Sequence, residues 1–181
     1  MDKWREFKAQ LSCLSNLRID RWIRTYHGSE WQMHCFSDAS ERAYAAAVYA
    51  VVSLKDGFSS RLLAAKSKVA PTKTICLPKL ELCGALLISK LASYILLKLE
   101  VNRQPTHVFC WSDSEITLWG IKEHPSTWKQ FVANRVSKVR SLLPQATWLY
   151  VESAQNPSDL ATRSLTAEQL CDSALWWGGP E

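Results

Sequence analysis

The chain has 181 residues, 47% of them hydrophobic and 22% charged, a composition that suits one globular domain with a sizeable core, and the sequence carries no internal repeats or low-complexity stretches.

The formal net charge is +5, from 22 Lys and Arg against 17 Asp and Glu, a mild excess that permits a polyanionic partner without requiring one. No apolar run approaches the roughly 20 residues of a membrane span, and Met1-Asp2-Lys3-Trp4-Arg5-Glu6 is too charged for a secretory signal, so the expectation is an intracellular protein, cytoplasmic or nuclear, with no membrane partner.

Residues 1–29 are rich in Arg and Trp, with helical spacing of Trp4, Phe7, Leu11 and Leu14, and read as a lead-in rather than core. From Trp31 the pattern alternates, and Trp31-Gln32-Met33-His34-Cys35-Phe36 predicts a strand that emerges at Ser37-Asp38. Residues 44–53 form a β-rich apolar run, Lys55-Asp56-Gly57 carries the Asp-Gly pair of a tight hairpin, and 61–66 supply a third strand. Lys66-Ser67-Lys68-Val69-Ala70-Pro71 then reads as a basic loop that ends this part of the sheet. Pro78 opens the strongest predicted helix, 79–99, dense in Leu and Ala. Residues 107–111 predict a short central strand parallel to the first. Helices follow over 114–121 and 126–142, then a strand over 146–151 and a last helix near Asp159, with 164–177 tailing away. This order predicts an α/β fold: a mixed five-stranded sheet, three antiparallel strands then alternating helix and strand, with helices on both faces.

Four carboxylates fall at element ends in this scheme: Asp38 after the first strand, Glu81 in the first turns of the long helix, Asp113 after the fourth strand and Asp159 at the last helix. If the first and fourth strands are parallel neighbours, Asp38 and Asp113 emerge at one sheet end, about 4.8 Å apart. Packed anions repel unless cations neutralise them, and hard oxygen ligands select Mg²⁺ or Mn²⁺. A pair of such ions suits phosphodiester cleavage. The residues alone leave a second reading open, in which the four are helix-start residues and solvated charges. Cys13, Cys35, Cys76, Cys83, Cys110 and Cys171 form no CxxC pair, and His27, His34, His107 and His124 have no metal spacing, so zinc is not expected and the cysteines read as free thiols.

Several linked motifs carry a resemblance: Phe36-Ser37-Asp38-Ala39-Ser40-Glu41-Arg42-Ala43-Tyr44-Ala45-Ala46, Ala65-Lys66-Ser67-Lys68-Val69-Ala70-Pro71, Leu77-Pro78-Lys79-Leu80-Glu81-Leu82 and Trp111-Ser112-Asp113-Ser114. The series continues through His124-Pro125-Ser126-Thr127-Trp128-Lys129, Asn156-Pro157-Ser158-Asp159-Leu160-Ala161-Thr162-Arg163 and Leu175-Trp176-Trp177-Gly178-Gly179-Pro180. In these motifs the chain resembles the ribonuclease H domain of reverse transcriptases of BEL/Pao-type LTR retrotransposons. The resemblance implies a ribonuclease H-like fold and hydrolysis of the RNA strand of an RNA–DNA hybrid, leaving a 3′-hydroxyl and a 5′-phosphate. It implies two Mg²⁺ ions, with Mn²⁺ as a substitute, and a catalytic and metal-binding set of Asp38, Glu81, Asp113 and Asp159. Asp38 would bridge both ions, Asp159 would help hold the one that activates water, and Glu81 and Asp113 would hold the one at the leaving oxygen. Reverse transcriptase and integrase modules of a parent polyprotein are the implied partners besides the hybrid.

The chain departs from the family pattern in three places. The loop Tyr150-Val151-Glu152-Ser153-Ala154-Gln155-Asn156 has no His, which implies slower product release. Leu118-Trp119-Gly120 places its Trp one position early, and Asp20 stands where Pro is common. An alternative function follows: a weak or inactive ribonuclease H-fold module that binds nucleic acid or protein. Phosphate contacts are expected from Lys66, Lys68, Lys129, Arg135 and Lys138, with Arg140 on the same predicted helix, although 129–140 also fits a solvated amphipathic face. Ser40 and Ser114 read as helix caps rather than contacts to sugar or phosphate, and Trp111, Trp128 and Trp148 as packing residues. The expected organisation is a connection segment over 1–29, a catalytic domain over 30–165 and a tail over 166–181.

Overall fold

A computed structural model describes residues 2–20, 22–25, 29–163 and 165–180; Arg21 and His27 fall outside them. The strands are β1 (Trp31–Ala39), β2 (Ala43–Leu54), β3 (Gly57–Val69), β4 (His107–Ser112) and β5 (Thr147–Tyr150). The helices are α1 (Asp2–Gln10), α2 (Leu77–Lys98), α3 (Glu115–Lys122), α4 (Gln130–Leu142), α5 (Pro157–Thr162), α6 (Ala167–Cys171) and α7 (Ala174–Gly178). The strands form one sheet in the order β3-β2-β1-β4-β5, with β1, β2 and β3 antiparallel and β4 and β5 parallel to β1. The α/β class, the mixed five-stranded sheet and the central place of β4 all match the expectation from sequence.

Strand alternation assigns the two faces of this sheet. Met33, Cys35, Val48, Ala50, Val108 and Cys110 lie on one face and pack on Leu87, Ile88 and Ala92 of α2. Phe36, Ala47 and Tyr49 lie on the other and pack with Val151 and Trp176. On the first side α4 lies beside α2, with Leu82, Ala85, Val136 and Val139 between them. By length and composition α2 could cross a bilayer, contrary to the sequence expectation, but its apolar face is the one buried on β1 and β2.

Two local differences have a clear cause. The basic stretch 66–69 is not a loop, because β3 pairs with β2 along its whole length, from Leu54↔Gly57 to Ala43↔Val69. Lys66 and Lys68 therefore stand on an edge strand, opposite Ala46 and Tyr44. The hairpin that sets this register needs glycine at its exit, where Gly57 has φ +133°. The predicted helix over 126–142 begins later, since Pro125–Thr127 form a separate 3-10 turn before α4.

The segment 166–181, read as a tail, contains α6 and α7. Trp176 is 9% exposed, and the Tyr49 hydroxyl, in the sheet, donates to its carbonyl at 2.7 Å. The 3-10 turn Leu11–Asn16 packs on α6, where the Cys13 and Cys171 sulfur atoms are 3.7 Å apart.

Candidate active site

The parallel register of β1 and β4 ends with Ser37 opposite Ser112. The next residues, Asp38 and Asp113, therefore leave the same end of the sheet on the same face. Asp38 is still within β1, one residue short of its end, and is 8% exposed. Helix α2 approaches it closely at Gly84, where an added Cβ would lie 3.0 Å from the Asp38 carbonyl oxygen. Glu81 is one turn earlier on that helix, so the contact at Gly84 sets its distance from Asp38.

The fourth carboxylate arrives through the Asn156–Arg163 segment. The Asn156 side chain, 0% exposed, donates to the Ser37 carbonyl at 3.0 Å and to Asp113 Oδ1 at 3.4 Å, while its Oδ1 accepts from the Ser158 amide and caps α5. Ser158 Oγ donates to the Phe36 carbonyl at 2.9 Å. These bonds pin the start of α5 to β1 and carry Asp159, in the helix's first turn, beside Asp38. Pro157 fits there because the first helical turn requires no amide donor.

Each of the four acidic side chains has a partner. Thr162 Oγ1 donates to Asp38 Oδ2 at 2.5 Å, Ser114 Oγ to Glu81 Oε2 at 2.5 Å and Ser153 Oγ to Asp113 Oδ2 at 2.6 Å. Arg163 Nε donates to Asp159 Oδ1 at 2.8 Å. Burial, reinforced by the negative charges of Asp113 and Asp159, pushes the Asp38 carboxyl up to about 6, against the Thr162 hydroxyl and the Ala39 amide that hold it down. The structure thus brings Asp113 and Asp159 within electrostatic reach of Asp38, and Glu81 is tied to the group through Ser114, the neighbour of Asp113.

Among the described residues, no three His, Cys, Asp or Glu groups already form a metal cage. The donor chemistry nevertheless fits a hard divalent cation: the four groups are all carboxylates, and the most buried of them is held from ionising by desolvation and by the charges of Asp113 and Asp159, which a cation would offset. Were such an ion to bind, Asp38, Glu81, Asp113 and Asp159 would be the residues to hold it, and each would first have to turn a carboxylate oxygen now bonded to a hydroxyl or to Arg163.

The predicted phosphate contacts divide. Lys66 and Lys68 flank Ser67, which is opposite Ala45 and so two strands from Asp38, about 10 Å away. Arg135 lies with its guanidinium 3.4 Å from the Phe131 ring centroid and donates to the Phe131 carbonyl, which makes it part of the packing as well as a surface cation. Lys129 and Lys138 are exposed. Arg140 turns away to donate to the Glu123 carbonyl at 3.2 Å. Lys79, which sequence reasoning passed over, has its ammonium 5.3 Å from the same Phe131 ring. Ser114 caps α3, as expected, whereas Ser40 caps no helix and instead orders the β1–β2 turn.

The Pao retrotransposon-like RNaseH-like domain matches residues 1–114, more than half of the chain. The chain belongs to that family. The match takes in Asp38, Glu81 and Asp113 and ends before Asp159. No curated protein matches in sequence. Among solved structures, the Pao-type chain is similar to an N-terminal RNase H domain from Mycobacterium tuberculosis, solved as a fusion with maltose-binding protein, at 16% identity and TM-score 0.47, covering 74% of this chain and 94% of that one. It is similar to RNase H1 from Halobacterium salinarum at 16% identity and TM-score 0.43, covering 80% and 99%. It is also similar to a foamy viral protease-reverse transcriptase in complex with RNA/DNA hybrid, at 9% identity and TM-score 0.42, covering 86% of this chain and 22% of that one. The ribonuclease H-like fold of the Pao-type domain is written in its own strand order and its family match.

Sequence reasoning named all four carboxylates but missed Asn156, Ser158, Thr162 and Gly84, which position them. The Asn-Pro-Ser sequence before Asp159 signalled a helix cap; nothing local signalled that the same Asn reaches Ser37 and Asp113.

Proposed function

We propose that this domain hydrolyses the RNA strand of RNA–DNA hybrids in a divalent-cation-dependent endonucleolytic reaction, as the RNase H module of a retroelement reverse transcriptase. The observation that carries this reading is the buried Asp38 beside Asp113 and Asp159 at the end of two parallel strands, in a chain of the Pao retrotransposon-like family. When bound, Mg²⁺ or Mn²⁺ would activate a water and neutralise charge building on the phosphoryl oxygens. The protein's share is to hold the carboxylates in place. Ser114 and Thr162 restrain Glu81 and Asp38, and Asn156 locks β1, Asp113 and α5 into one unit. Lys66, Lys68, Lys129, Arg135 and Lys138 would hold backbone phosphates, a contribution that weakens with salt. The module would act inside the cell beside polymerase and integrase modules of a parent polyprotein.

The test is a substrate panel: labelled RNA–DNA hybrid, RNA duplex, DNA duplex and single-stranded RNA, each with Mg²⁺, Mn²⁺ or EDTA. The expected result is cutting of RNA in the hybrid alone, dependent on the metal, with 3′-hydroxyl and 5′-phosphate ends. A second reading, a nucleic-acid-binding module with little turnover, draws on the 150–156 loop, which has no His to assist product release. Hybrid binding without cutting under either metal would favour it.

A further inference from the structure

We infer that Thr162 is a positioning residue that fixes the Asp38 carboxylate for cation binding; this rests on the cation-site reading above. Thr162 is 6% exposed and sits one turn after Asp159 on α5. Its Oγ1 lies 2.5 Å from Asp38 Oδ2 and 3.0 Å from the Asp159 carbonyl oxygen. A hydroxyl has one proton to give, and the shorter contact to a charged acceptor takes it. Of the two rotamers open to a helical Thr, the one adopted here brings Oγ1 to the carbonyl three residues back as well as to Asp38. Its own carbonyl is held in turn by Ser40 Oγ at 3.2 Å, from the β1–β2 turn.

Thr162 therefore joins three things: the most buried of the acidic side chains, the backbone of Asp159 and the turn that follows β1. Glu81, Asp113 and Asp159 are all more exposed than Asp38, so solvent can help orient them. Asp38 is oriented by the hydroxyl and the Ala39 amide. Loss of the hydroxyl would leave a buried carboxylate free to rotate and without its side-chain donor. Outer-shell partners of this kind contribute to metal affinity as well as to local stability.

The experiment compares Mn²⁺ binding by calorimetry in the parent, Thr162→Val and Thr162→Ser, with thermal melts as a check on folding. Thr162→Val keeps the shape and removes the hydroxyl, and is expected to weaken Mn²⁺ about 10–100-fold. Thr162→Ser restores the donor and is expected to stay within about threefold of the parent. Cleavage by the Val variant should recover as Mn²⁺ is raised. A folded Val variant that binds Mn²⁺ as tightly as the parent overturns the assignment, as does a Ser variant as weak as the Val. Should Val not fold, Thr162→Ala against Thr162→Ser makes the same comparison. A parent that binds no Mn²⁺, and matches Asp38→Asn in that respect, overturns the cation-site reading itself.

Discussion

Replacing Asp38 by Asn separates the cost of a buried charge from the fold that surrounds it. In the metal-free protein the Asp38 carboxyl is raised from 3.8 to about 6, first by burial and then by Asp113 and Asp159. A folded-state value above the unfolded one means that stability is fully present below about pH 4 and is lost as pH rises through about 6. The difference corresponds to roughly 3 kcal/mol by pH 8. Asn has no charge to desolvate, and its carbonyl oxygen can still accept the Thr162 hydroxyl. It forfeits the Ala39 amide as a carboxylate donor, at a cost of about 1 kcal/mol. Asp38→Asn is therefore expected to be about 2 kcal/mol more stable than the parent at pH 8 without divalent cations, and about equal or slightly less stable at pH 4. Urea unfolding at both values measures this. Adding Mg²⁺ at ten times its dissociation constant should return ~1.4 kcal/mol to the parent and nothing to the variant. Equal pH slopes for the two proteins, or a variant less stable at pH 8, would refute the reasoning.

Five further substitutions test the packing and the surface charge. Gly84→Ala places a methyl 3.0 Å from the Asp38 carbonyl oxygen and should destabilise the fold by about 1–3 kcal/mol in urea while lowering hybrid cleavage, because α2 must move with Glu81. Asn156→Ala leaves the buried Ser37 carbonyl without that donor and removes the α5 cap, for a loss of about 2–4 kcal/mol by the same assay. Trp176→Ala, in the stretch read as a tail, should cost about 3–5 kcal/mol, and an unchanged melting temperature would place α7 outside the core. Lys129→Glu should weaken hybrid binding and flatten its salt dependence without a change in melting temperature, whereas Arg135→Ala should also lower stability through its stacking on Phe131.

Much of the sheet was legible because its signals are local. The alternation of Trp31–Phe36, the Asp56-Gly57 pair and the short apolar run at 107–111 each name an element, and their order restricts the topology. Pro78 and the Leu-rich run after it did the same for α2. Where the reading went astray, a tertiary partner overrode the local signal. Lys66-Ser67-Lys68 looks like a solvated loop, yet β2 supplies it with a full ladder of hydrogen bonds. Trp176 and Trp177 follow a weakly periodic stretch, and the cluster they join is built in large part on Phe36 and Tyr49, more than a hundred residues earlier. At the candidate site the carboxylates stood out by their position at element ends. Their hydroxyl and amide partners did not, since Asn156 and Thr162 reach residues distant in sequence.

The most direct test of the central claim is single-turnover cleavage of a labelled RNA–DNA hybrid in Mg²⁺ by the parent and by Asp113→Asn, purified side by side and shown to be folded. The account predicts cutting of the RNA strand by the parent, none in EDTA, and a rate at least about a hundredfold lower in the variant. Cutting by Asp113→Asn at the parent's rate, or no cutting by a folded parent that binds both hybrid and Mg²⁺, would contradict it.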